Sequence, residues 1–173
     1  MRPFSALAAV CTATVIGLGV LPAEAASPPK ISPKISVRIP TVVGYTSQHA
    51  ASARVDTIGF RFKGGLPGTF SARYIPRSQV RNEPSDLRIF IPGKSWVLVQ
   101  FTPAMAHNDQ GKVTAPVRFR PENTTNVIIA QRTEDFEGHV SYIIGLRQKQ
   151  PPAPVHPTIF ADGSKILVNI PTK

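Results

Sequence analysis

An all-β fold is what this 173-residue sequence predicts: a two-sheet β-sandwich or small barrel of about eight to nine strands, with little helix. Three observations carry that expectation. Apolar residues recur at every second position in short runs, the period of a strand with one buried face. The runs are rich in β-branched and aromatic residues, which suit a pleated, half-buried surface. They are separated by turn-forming clusters drawn from 18 prolines and 12 glycines, at the short intervals of sandwiches and barrels.

The clearest alternation runs from Ile58 to Tyr74, on either side of Gly64-Gly65-Leu66-Pro67-Gly68. Glycine supplies the positive φ of a tight reversal and proline cannot continue a ladder, so the segment reads as a β-hairpin. Pairing Lys63 with Thr69 sets Phe62 opposite Phe70, Phe60 opposite Ala72 and Ile58 opposite Tyr74, all on one buried face. The wet face then collects Arg61, Lys63 and Arg73. A one-residue slip would put three aromatic rings in water, so this register is strongly specified.

The other elements follow in order. Thr41–Tyr45 is a first strand and Thr46–Ala53 a polar loop. Arg54–Lys63 is the first arm of the hairpin. Ile75–Asp86 is a loop carrying Pro76 and Pro84, and Leu87–Ile91 is a strand stopped by Pro92-Gly93. Trp96–Phe101 is apolar on both faces, the mark of a central strand. Thr102–Ala106 reads as one helical turn, with Thr102 as cap and Pro103 in the first position. Val117–Arg120, Asn126–Gln131 and His139–Leu146 are strands, with an acidic turn over Glu134–Gly138. Gln148–Pro157 is an extended connection, Asp162-Gly163 a turn and Lys165–Ile170 the last strand.

Met1–Ala25 has the build of an export signal. Arg2 gives a positive start, Phe4–Leu21 is mostly small and apolar, and Ala23-Glu24-Ala25 presents Ala-x-Ala before a cut after Ala25. Cys11, the one cysteine, leaves with it, so residues 26–173 hold no internal disulfide. Residues 26–40 form a Pro-rich, cationic linker that reaches about 45 Å if extended. One β domain over 41–173 follows. This describes a secreted or cell-wall-associated protein with no membrane span once the signal is cut. The net charge of +10 survives cleavage because Arg2 and Glu24 cancel. Such a charge favours anionic polymers, anionic lipid head groups or acidic partners. Export and the absence of an aromatic stacking platform on the wet side argue against nucleic acid.

No reaction is written in the residues. His107, Asp109, Asp135, Glu137 and His139 offer metal-ligand types, but no His-Glu-x-x-His, cysteine ligand or clustered acidic loop organises them. Ser141 lies two residues from His139 without a Gly-x-Ser-x-Gly turn, and the 64–68 loop lacks the Lys-Ser/Thr ending of a phosphate loop. Asn123-Thr124-Thr125 is a sequon that matters only in a eukaryotic secretory pathway. No catalytic residue, metal or cofactor is expected. The candidate ligand-binding residues are Arg61, Lys63 and Arg73 on the hairpin, with Arg118 and Arg120 sharing a face of another strand. Joined, they would make a cationic strip for carboxylates or phosphates.

Several stretches taken in order resemble a known family. They are Asp56–Phe62, the Gly-Gly-Leu-Pro-Gly turn, Val99–Asn108, Asp135–Gly138, Ile144–Leu146 and the closing Ile-Leu-Val-Asn-Ile strand. Together they are similar to the AMIN-like domain of actinobacterial secreted proteins and lipoproteins, a relative of the amidase N-terminal (AMIN) domain. The resemblance implies two packed sheets and a non-catalytic envelope domain that binds peptidoglycan or an associated anionic polymer. A module contacting a protein or anionic lipid at the membrane surface is the second class, and a hydrolase the third. Two features depart from the family pattern. No lipid-anchoring cysteine follows the signal, and Asp56 is followed by Thr57 where members often carry Arg.

Overall fold

The structure is a computed structural model that describes residues 38–82 and 85–173. The expected export signal and most of the expected linker lie outside the described residues. The described residues fall in one compact unit.

Among the described residues the fold is all-β, with eleven strands where eight or nine were expected; three are two-residue ladders, and one of these, Arg81–Asn82, falls in a stretch expected to be loop. One sheet holds β1 (Thr41–Ala50), β2 (Val55–Lys63), β11 (Lys165–Pro171) and β10 (Thr158–Asp162), in that order. The other holds β3 (Thr69–Ile75), β6 (Ser95–Thr102), β9 (His139–Leu146), β8 (Val127–Phe136) and β7 (Arg118–Phe119). A small ladder joins β4 (Arg81–Asn82) to β5 (Leu87–Arg88). All named pairings are antiparallel, and the two larger sheets face each other across one core.

The hairpin of residues 58–74 does not form. Both edges of β2 are taken, by β1 and β11, while β3 pairs with β6. The Gly64–Gly68 segment instead carries the chain from one sheet to the other. Ile58, Phe60, Phe62, Phe70, Ala72 and Tyr74 do share one core, but they enter it from opposite sheets. Period-two alternation says which side of a strand is dry; it does not say which strand lies beside it. The expected hairpin also puts Arg73 on one face with Arg61 and Lys63, whereas it lies on the far side of the sandwich from them.

Other expectations shift for local reasons. β1 runs on to Ala50 because Thr46–His49 pair with β2, although those positions look like loop. Thr102–Ala106 makes no helix: the Ala104 and Met105 amides donate to Gly138 and Pro40, and the Val42 amide donates to Met105. β8 continues through Glu134–Phe136, so the acidic turn narrows to Glu137-Gly138. β6 is central, as its two-sided pattern predicted. Its inner residues Val97, Val99 and Phe101 meet the other sheet. Its outer Trp96 packs with Ile75, Val80, Ile91, Ile129 and Ile143, where the segment 76–91 straps the outer face. Trp96 Nε1 donates to the Ile91 carbonyl at 3.0 Å. Gly145, opposite Trp96 on β9, leaves room for the Pro92 carbonyl, with which a Cβ would collide.

Buried polar groups tie the layers together. Asp56 has no exposed surface. Its carboxylate accepts the amides of Thr125, Asn126 and Val127 at 3.1, 2.6 and 2.9 Å, with His49 Nδ1 at 2.8 Å. Burial works to raise its pKa, but these donors outweigh it and hold the carboxyl below its ordinary value. The Tyr45 hydroxyl lies 2.9 Å from that of Tyr142 and 2.8 Å from the Pro116 carbonyl. A single proton serves one acceptor, so Tyr142 donates to Tyr45 and Tyr45 to Pro116. Burial pushes Tyr45 up to about 12, against the lowering effect of the Tyr142 hydrogen bond, and raises Tyr142 further.

Candidate functional site

Strand register decides which exposed side chains stand together. On the outer face of the five-stranded sheet, one row reads Ser71, Gln100, Ser141, Glu134 across β3, β6, β9 and β8. The next row along the strands holds Thr69 opposite Thr102, and His139 opposite Phe136. Thr102 Oγ1 and His139 Nδ1, 3.0 Å apart, close that row. Ser141 donates to Glu134. Phe136 is 53 % exposed at the end of its row. Strands stand about 4.8 Å apart, so this polar platform is about 14 Å wide. Val80, Ile89 and Ile91 of the strap cover the apolar part of the same face.

Two cavities open on this face. One, of about 200 Å³, is lined by Thr69, Ser71, Gln100 and Thr102 among others. The second, of about 370 Å³, lies where the strap meets the sheet, between Arg73, Gln79, Arg81, Leu98, Thr133 and Ile143. Arg81 Nη1 donates to both carboxylate oxygens of Asp86 at 2.8 Å, and Arg73 donates to Gln79 at 3.2 Å.

The five candidate cations are divided. Arg73, Leu98, Ile143, Gln131 and Arg118 form one row across the five-stranded sheet, so Arg73 and Arg118 share its outer face at opposite edges. Four strand spacings separate their backbones, about 19 Å. Arg120 follows the end of β7 and is exposed. Arg61 and Lys63 lie on the outer face of the four-stranded sheet, and there Arg61 stands opposite Lys165. A single strip through all five does not exist.

The groups weighed for metal or acid–base chemistry are also placed. His107 Nδ1 is 3.0 Å from Asp135, which Arg132 engages at 3.1 Å and the Ala106 amide at 2.9 Å. Arg132 and Asp135 are mostly buried, so this is an internal clamp rather than a solvated charge cluster. Asp109 sits in an exposed loop, Glu137 in the β8–β9 turn and His139 on the polar platform. Among the described residues no three His, Cys, Asp or Glu gather as a metal site. The Ser141 hydroxyl is buried and bonds to a carboxylate, not to His139.

The platform residues Gln100, Glu134 and Phe136 were not singled out from the sequence, and Ser141 was weighed only as a nucleophile. Their only sequence signal is the outward phase of each alternation, and the strand order needed to assemble them is not local. Among the described residues no helix is long and apolar enough to cross a membrane. No curated protein and no solved structure matches the chain. The profile of the AMIN-like domain matches residues 46–170, most of the chain and nearly every strand described above, and the chain therefore belongs to the AMIN-like domain family.

Proposed function

We propose that this protein is a secreted, non-catalytic domain that holds peptidoglycan on the outer face of its five-stranded sheet. The observation that carries the reading is the polar platform, four strands wide, onto which the smaller cavity opens, with the larger cavity beside it where the strap meets the sheet. Hydroxyl, amide and carboxylate groups in parallel rows match the hydroxyl and acetamido groups of a glycan strand, and Phe136 offers an apolar edge to a sugar ring. Arg73 and Arg118 flank the rows and suit the carboxylates of wall peptides. Family membership supports the same class of ligand. Arg61, Lys63 and Arg120 fall outside this site.

The test is cosedimentation with peptidoglycan sacculi stripped of attached polymers. Gln100→Ala with Phe136→Ala should weaken binding by about ten-fold while leaving the melting temperature nearly unchanged, since both act at the surface. Unchanged binding by that variant, or no binding by the parent chain, would overturn the reading.

A second reading rests on a different observation. Leu87 and Phe90 on the strap are 66 % and 71 % exposed, beside Arg88 and an Arg77 guanidinium stacked on Phe90 and Trp96. Apolar side chains rimmed by cations suit an anionic bilayer surface. Flotation with anionic vesicles that is lost in Leu87→Ser with Phe90→Ser would favour this reading over the first.

A further inference from the structure

The outer face of the four-stranded sheet carries a charge arrangement that works against the fold. Arg61 on β2 and Lys165 on β11 are directly opposed. Like charges opposed across a ladder destabilise it. Lys63 lies two residues from Arg61 on the same face and is exposed. Arg38 lies beside the following turn, its Cβ 3.9 Å from where a Cβ on Gly64 would stand. Asp162, opposite Lys165, is the acid of that row. Among the described residues, no ion pair within 4.0 Å involves any of these four cations.

The sheet is also shaped to seat one of them. Gly44 stands opposite Arg61 on β1, and a Cβ there would lie 2.6 Å from Arg61 Nη2. The guanidinium therefore lies over the bare backbone of β1, while Lys63 stands on β2 and Lys165 on β11. The cations span three adjacent strands, about 10 Å.

We propose that this face is a second binding site, for a linear phosphate-bearing polyanion, on the opposite side of the sandwich from the polar platform. Cations spread over three strands meet successive charges of a polymer, where one small anion would reach only some of them. A guanidinium fork and lysine point charges together use more acceptor directions than a carboxylate's two oxygens provide, and a phosphate supplies them. Leu87 and Phe90, the two most exposed large apolar side chains among the described residues, belong to the strap over the other sheet, and this face adds one exposed ring, Phe160 on β10, too little apolar surface to favour a membrane over a polymer. The proposal does not rest on the peptidoglycan reading, which concerns the other sheet and a ligand stripped of such polymers.

The experiment is binding of the full chain to linear inorganic polyphosphate across a salt series, with orthophosphate and anionic vesicles as parallel probes. The parent should bind polyphosphate, and binding should weaken steeply with salt through release of counterions. Arg61→Ser with Lys165→Ser should lower affinity by about ten-fold and flatten the slope of log affinity against log salt by about one to two. Lys94→Ser with Lys149→Ser removes the same charge from exposed positions outside this sheet and should change affinity by less than about two-fold. Gly44→Ala, which displaces the Arg61 guanidinium without removing charge, should lower affinity several-fold. Melting curves check the fold of each variant, and Arg61→Ser with Lys63→Ser replaces the first pair if opposing residues disturb the ladder. Failure to bind polyphosphate, equal losses in the two charge-matched variants, or preference for orthophosphate or vesicles would each overturn the proposal.

Discussion

Removing the Asp56 carboxylate should cost this domain more stability than its single ion-pair geometry suggests. Asp56→Ala leaves the amides of Thr125, Asn126 and Val127 without their acceptor, at a position with no exposed surface. A buried donor stripped of its partner costs about 1–3 kcal/mol, and the loop can turn some of the three toward water. The expected loss is about 4 kcal/mol, in the range for breaking a buried charged network. For a domain of this size that lowers the melting temperature on the order of 15 °C. The pH dependence has a definite sign. The folded pKa of Asp56 is depressed, so its contribution is fully present above the unfolded value of about 3.9 and is lost as pH falls through the folded value. Asp56→Asn has no proton to gain there. Urea unfolding of parent and Asp56→Asn should therefore differ more at pH 7 than in acid, the gap narrowing as pH falls through the depressed folded value. A loss under about 1 kcal/mol in Asp56→Ala, or a difference independent of pH, would refute the account.

Three further outcomes follow from the core. The chain has three tyrosines, Tyr45, Tyr74 and Tyr142, and burial raises the pKa of each. Ultraviolet titration of the folded protein should therefore show the phenolate transition displaced above the ordinary value of about 10; a full transition centred near that value would contradict the packing. Tyr74 has a buried hydroxyl with no partner among the described residues, so Tyr74→Phe should be neutral or stabilising by up to about 1 kcal/mol in urea unfolding. Gly145→Ala would drive a methyl group into the Pro92 carbonyl and should destabilise by about 1–3 kcal/mol, because the obstacle is backbone and not a movable side chain.

The legible parts of the fold were those written in neighbouring residues. Alternation placed Phe60, Phe62, Phe70 and Tyr74 in the core, and the two-sided run Trp96–Phe101 marked β6 as central. Thr46–His49 were missed because their polar side chains hide backbone pairing with β2. The helical turn at Thr102–Ala106 failed because amides of that stretch are claimed by Pro40 and Gly138, far away in the chain. Asp56 showed no sign of its role, since its three amide donors lie about 70 residues on.

The amino-acid sequence by itself determined an all-β chain, the side of each strand that would be dry, the cationic balance and the family. These depend on side-chain period, composition and ordered local patterns, all of which are set by residues close in the chain. Only the tertiary structure decided that β2 and β3 belong to different sheets, and with it the division of Arg61 and Lys63 from Arg73 and Arg118. It also assembled Ser71, Gln100, Ser141 and Glu134 into one row. Backbone hydrogen bonding is blind to residue identity and available to any strand. The partner of each strand is therefore chosen by burial of the whole core, a sum over distant residues that no local window contains.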